Sequence, residues 1–140
     1  MRLIITEPTK VIVDRGDVLS VRAEDASGSF GILPGHADLI TVLTPSVVAW
    51  RHEDGRAGWC AVRRGVLSVQ AGHQVAIATR QAQLGDDLAS LEHVVLERYR
   101  AELDAERRAR ASATRLHTAA IREIIRALRS DGQKAVGDGA

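Results

Sequence analysis

Between Gly28 and Leu43 the chain reads GSFGILPGHADLITVL, with three glycines, a proline and a histidine inside an apolar run. Residues of these types suit three kinds of chemistry: a backbone cradle for phosphate, a ligand site around His36, or a surface shaped for another protein. A phosphate loop of the GxxxxGK[ST] kind needs lysine to reach the phosphates and a hydroxyl to hold magnesium. That pattern is absent, and Gly28, Gly31 and Gly35 lack Rossmann spacing as well. The glycines are therefore read as serving turns and close packing. His36, His52, His73, His93 and His117 are each without a second His or Cys at metal-ligand spacing, and His36 reads as a loop-capping or interface residue. Cys60, between Trp59 and Ala61, reads as a small buried apolar side chain. No serine occupies a GxSxG elbow, and no two carboxylates of the N-terminal half are marked out as acid and base. The sequence predicts no catalytic residues, no cofactor and no metal.

The elements that must carry this stretch change character near residue 84. Up to that point apolar residues alternate with polar ones: Leu19, Val21 and Ala23 around Ser20 and Arg22, and Leu67 and Val69 around Ser68. Turn residues recur at Arg15-Gly16-Asp17, Ser27-Gly28-Ser29, Pro34-Gly35, Glu53-Asp54-Gly55 and Ala71-Gly72-His73. Residues 1–84 are thus predicted to form an all-β antiparallel sandwich of about 8–10 short strands. The expected strands lie near 2–6, 10–14, 17–24, 29–32, 38–42, 46–52, 58–63, 65–70 and 74–80.

After Leu84-Gly85-Asp86-Asp87 no Gly or Pro occurs until Gly132, and the period becomes helical. Asp86 or Asp87 can cap the first N–H groups. Leu88, Leu91, Val95, Tyr99 and Leu103 form one apolar stripe; Ala113, Leu116, Ala120, Ile121, Ile124, Ile125 and Leu128 form a second. Residues 85–130 are read as a C-terminal α-helical hairpin, with Ser112 or Thr114 capping its second helix. Without a breaker, residues 87–129 can equally run as one rod of roughly 65 Å. Residues 131–140 are predicted to be a disordered tail.

Charge is balanced overall, 19 Lys plus Arg against 18 Asp plus Glu, but segregated locally. Seven acids and two bases lie between Asp86 and Glu106; Arg107, Arg108, Arg110, Arg115, Arg122, Arg126 and Arg129 then follow with Glu123 as the one acid. This basic segment suits an acidic partner, or the acidic helix beside it. A nucleic-acid clamp on a sandwich scaffold is the alternative, weakened by an aromatic content of 3%. A single cysteine cannot form an intramolecular disulfide, and the N-terminus lacks signal-peptide order. With no apolar run near the roughly 20 residues of a membrane-spanning helix, the expected setting is cytoplasmic, with membrane association only through partners.

GSFGILPGHADLITVLTP resembles a pattern of the epsilon subunit of F-type ATP synthases (delta in mitochondria). Gly28, Phe30, Gly31, Ile32, Pro34, Gly35, His36, Leu39, Leu43 and Pro45 match it. A second stretch, RRGVLSVQAGHQVAIATRQAQLGDDL, is similar to that family's last two sandwich strands and the junction to its helices. The resemblance implies a non-catalytic subunit of the central stalk whose sandwich contacts the gamma subunit and the c-ring. Its helices would lie as a hairpin or extend along gamma, so that the basic helix transiently meets alpha and beta and restrains ATP hydrolysis. Ser27, Gly28, Ser29, Phe30 and Gly31 would then lie at or beside a turn facing the c-ring, with Leu33, Pro34, Gly35 and His36 in an adjoining loop at the gamma and ring contact. The seven arginines correspond to the inhibitory helix by position and charge. The implied location is peripheral, on the cytoplasmic face of a bacterial inner membrane. The opening residues, with EPT, are similar to the alternate, sodium-type F-ATPases. Pro45-Ser46 and Arg64-Gly65 depart from Pro-Gly and Gly-Gly of the pattern. Leu88-Ala89-Ser90-Leu91-Glu92-His93 lacks the Asp and Arg of the ATP-binding version of the first helix, so no ATP binding of that kind is expected.

Overall fold

The alternation of the first half becomes ten strands in the computed structural model, which describes residues 1–138. They are β1 (Arg2–Glu7), β2 (Lys10–Arg15), β3 (Val18–Asp25), β4 (Gly28–Ile32), β5 (Leu39–Leu43), β6 (Ser46–His52), β7 (Ala57–Val62), β8 (Gly65–Gln70), β9 (Gln74–Thr79) and β10 (Ala82–Gly85). Nine lie where the alternation places them. The tenth is too short to declare a period, and pairs along the edge that β7 offers, with Ala82 opposite Val62 and Gly85 opposite Trp59.

The strands make two layers of five, β4-β3-β6-β7-β10 and β5-β8-β9-β1-β2. Every pairing is antiparallel except that of β1 with β9. The layers are linked through one bridge, Asp25 of β3 opposite Leu43 of β5. Inward positions of both layers, including Leu3, Ile5, Val21, Ile32, Leu43, Val48, Leu67 and Ile77, form one aliphatic core. Trp50 joins it by lying over Gly58, where a Cβ would collide with the indole ring.

Asp87 is the helix cap: its backbone is extended, and its Oδ1 accepts the Ala89 N–H at 3.2 Å. The helix opens with α1 (Leu88–Ser90), passes through a π-helical turn (Leu91–Leu96) and continues as α2 (Glu97–Asp138). The wider π turn accommodates an additional residue, and Leu91, Val95, Leu96 and Tyr99 are all buried. Leu91, Val95 and Tyr99 pack on Ala61, Val47 and Trp59 of the β4-β3-β6-β7-β10 layer. Each such buried side chain contributes about 1.5–3 kcal/mol. The compact unit that holds the sandwich extends through Ala101, with the second unit beginning at Glu102.

Of the two arrangements open to the helical half, the backbone takes the single helix and not the hairpin. Thr114 Oγ1 donates to the Arg110 carbonyl and Thr118 Oγ1 to the Thr114 carbonyl, both at 3.0 Å. The hydroxyl proposed as a cap is thus spent on its own helix. Helical backbone also continues through Asp131–Asp138, where the sequence reading placed a disordered tail; a glycine such as Gly132 costs only about 1 kcal/mol against Ala. Gly139 and Ala140 lie outside the described residues.

Candidate partner-binding surfaces

The Gly28–His36 stretch is built as a strand between two braced ends. At one end Asp25 pairs with Gly28 across a two-residue hairpin loop, Ala26-Ser27, with Gly28 at φ +117°. The Asp25 carboxylate accepts the Ser27 N–H and Oγ–H on Oδ1 and the Thr41 hydroxyl on Oδ2 at 2.7 Å. Those bonds, the Ser27 hydroxyl's first, hold the Asp25 pKa below its usual value. One side chain thus fixes the hairpin tip and ties it to β5 beside the bridge that joins the layers.

At the other end, Leu33–His36 closes on a second turn. Gly35 donates its N–H to the Gly72 carbonyl at 2.7 Å, and Ala71 donates to Asp38 Oδ1 at 3.0 Å. Gly35 and Gly72 both have positive φ, and a Cβ on Gly72 would stand 2.9 Å from the Gly35 Cα. Glycine is required there by both conformation and approach. His36 is half-buried, its Nδ1 lying 2.7 Å from the Ala37 carbonyl oxygen. Its ring braces the loop.

The two candidate segments are therefore not adjoining. Ser27–Ser29 and Leu33–His36 lie at opposite ends of β4, about 13 Å apart at ~3.4 Å per residue. Between them Ser29 and Gly31 are exposed, and Phe30 packs partly against the core. The period of a strand separates what closeness in sequence suggested was one site.

A larger surface was missed by sequence reading. Register aligns Ile40, Ser68, Ala76 and Ile4 in one outward row, and Val42, Val66, Ala78 and Thr6 in the next. Ile40 is 77% exposed, Val42 59% and Val66 46%. These rows cross four strands and make the outer face of the β5-β8-β9-β1-β2 layer largely apolar. The signal lay in β-branched or apolar residues at both parities of β5 and β8, but parity alone does not say which face is outside.

The recess lined by Ser20, Arg22, Arg51 and Trp59 has no histidine, cysteine or carboxylate in its wall. Cys60 is fully buried and burial pushes its thiol up to about 12. His52 is structural: Trp50 Nε1 donates to its Nε2 at 3.3 Å, so its Nδ1 carries the proton shared with Asp17 Oδ1 at 3.2 Å. Among the described residues no three His, Cys, Asp or Glu side chains converge to hold a metal.

All seven arginines from Arg107 to Arg129 are exposed on α2. Arg107 pairs with Asp104 at 3.9 Å and Arg126 with Glu123 at 3.1 Å. Leu116, Ile121, Ile124, Ile125 and Leu128 are exposed on the same segment, between 44% and 73%. It therefore presents both an apolar stripe and a basic surface. No helix is long and apolar enough to cross a membrane among the described residues.

The family model of the ATP synthase Delta/Epsilon chain, beta-sandwich domain, matches residues 1–85. The ATP synthase epsilon chain 2 of Paraburkholderia xenovorans is 49% identical over 129 residues, 92% of this chain and 93% of that protein. The ATP synthase epsilon chain 2 of Cereibacter sphaeroides is 43% identical over 91% of this chain and 88% of that protein. Two cryo-EM structures share the fold. A chain of the Euglena gracilis mitochondrial ATP synthase aligns with TM-score 0.57 and 23% identity over 75% of this chain and 62% of its own length. One of the Tetrahymena thermophila mitochondrial ATP synthase central stalk and c-ring aligns with TM-score 0.52 and 16% identity over 76% and 94%.

Proposed function

The chain belongs to the delta/epsilon family of ATP synthase subunits, and on that premise we propose that its bare sheet face is the seat of the gamma subunit. As an epsilon-type chain it is a non-catalytic subunit of the F-type ATP synthase. The observation that carries the proposal is the outer face of β5-β8-β9-β1, where Ile40, Val42 and Val66 are exposed on neighbouring strands. Contiguous apolar area of this kind is buried in partners rather than left wet. Leu33–His36, at the β5 end of that face, extends the gamma contact. The Ala26–Ser29 hairpin tip, braced by Asp25, meets the c-ring. The subunit links rotation of gamma to the ring and sits peripherally at the cytoplasmic face of the bacterial membrane.

The basic part of α2 is the candidate brake. Its exposed isoleucines and leucines supply apolar contact, while Arg115, Arg122, Arg126 and Arg129 supply attraction to acidic surfaces of alpha and beta. In assembled complex, replacing these four arginines with alanine raises ATP hydrolysis; unchanged hydrolysis leaves the coupling role alone.

The seat is tested by co-purification with the cognate gamma subunit. Wild-type chain is retained, whereas Ile40→Asp/Val42→Asp folds by circular dichroism and is lost from the complex. Retention of that folded double variant at wild-type affinity removes the gamma assignment.

A further inference from the structure

An open recess of about 590 Å³ lies at the edge of the bare face, between the β1–β2 turn, the β7–β8 turn and the end of β9. Its floor is apolar, with Pro8, Val42, Val66 and Ala78; Arg64 and Arg80 also line it. One carboxylate is in the wall, Glu7, and it is engaged. Its Oε1 accepts the Ala82 N–H at 2.8 Å, and its Oε2 lies 3.7 Å from Lys10 Nζ. Arg64 and Arg80 are exposed, and neither side chain has a hydrogen-bond or ion-pair partner among the described residues. The Arg64 backbone is held in place, since its carbonyl accepts the Thr79 hydroxyl.

We propose that Arg64 and Arg80 clamp a carboxylate on the partner segment that covers Val42 and Val66, so that this pair fixes the register of docking and selects the partner. The inference rests on the reading of this face as the gamma seat and adds the chemistry of the segment that sits there: apolar along its length, with an Asp or Glu at the end facing the β7–β8 turn. Guanidinium groups suit this task because their planar forks donate in parallel to carboxylate oxygens. Covering the floor removes water from around both arginines and strengthens their attraction to a carboxylate. A segment with a basic or apolar residue at that point leaves two positive charges desolvated and unpaired, which discriminates against it. Continuity favours a protein occupant over a lipid headgroup: the apolar floor runs on from the recess as a pleated surface across four strands to Ile40 and Ile4.

The test uses the full chain and its cognate gamma subunit, with Kd measured by interferometry at low and high salt. Arg64→Glu/Arg80→Glu is expected to weaken binding about tenfold or more at low salt, with Arg64→Gln/Arg80→Gln intermediate and less salt-sensitive than wild type. Val66→Asp, at the shared floor, abolishes binding. If the charge-reversed chain binds within twofold of wild type while Val66→Asp does not bind, the clamp is wrong and the seat stands. If Val66→Asp also binds normally while folded, the seat itself is wrong. Sedimentation with phosphatidylglycerol vesicles provides the last arm: wild-type binding that disappears in the charge-reversed chain, with gamma affinity unchanged, assigns the arginines to lipid and overturns the proposal.

Discussion

The two layers of the sandwich treat their outer faces differently. The β4-β3-β6-β7-β10 layer covers part of its own outer face: Ala61, Val47 and Trp59 receive Leu91, Val95 and Tyr99 from the start of the helix. The β5-β8-β9-β1-β2 layer also has apolar outward positions, and Ile40, Val42 and Val66 among them are exposed. The difference teaches what each face is for. A face covered in cis contributes to the stability of the isolated chain, and a face left bare keeps its hydrophobic free energy for association.

That contrast can be broken most severely at Leu91. Leu91→Ala should lower the unfolding free energy of the isolated chain by about 2–5 kcal/mol in urea melts. Ile40→Ala on the bare face should stay within about 0.5 kcal/mol. Equal losses at the two positions would erase the distinction. Gly85→Val comes next. A Cβ at Gly85 would approach the Leu91 side chain to 2.6 Å, so the substitution should cost about 1–3 kcal/mol by overpacking. It should also speed hydrogen exchange in residues 88–101 before the strands. Exchange rising uniformly through the sandwich would show that helix docking and sandwich are one cooperative unit.

A smaller effect sharpens the role of the braces at the sandwich ends. The Arg15 guanidinium, with His52 also contributing, brings the Asp17 pKa down to about 2. A depressed carboxyl contributes stability that is fully present above its unfolded value of about 3.9 and is lost as pH falls through the folded value. Wild-type stability should therefore decline between about pH 4 and 2. Asp17→Asn should be less stable at neutral pH and show a shallower decline over that window. Parallel pH curves for the two proteins would remove Asp17 from the account. Asp25, depressed by Ser27 and Thr41, should contribute in the same direction, and Asp25→Asn should loosen the hairpin tip before the core.

Much of the sandwich was legible because burial on one face imposes period two, and nine strands announced themselves that way. The tenth did not, because Ala82–Gly85 becomes a strand through the neighbour it finds rather than through its own pattern. The candidate site was legible in part. Its glycines marked turns correctly, and Gly35 is explained by its contact with Gly72. Sequence nearness merged Ser27–Ser29 with Leu33–His36, although five residues of extended chain carry them to opposite ends of β4. Asp38 gave no local sign of bracing a turn, and the tie from Asp25 to β5 was equally hidden, because Ala71 and Thr41 are remote in sequence.

The sequence by itself determined the strand and helix periods, a helix cap at Asp86 or Asp87, and the segregation of acid from base along the helical half. These are properties of residue type and spacing, set by local backbone geometry and side-chain chemistry. Tertiary structure alone decided that the helix start covers one layer and that apolar residues of the other, Ile40, Val42 and Val66, stay exposed. Those outcomes depend on which strands become neighbours across long separations, and the free energy of a buried contact exists only once both sides have been brought together.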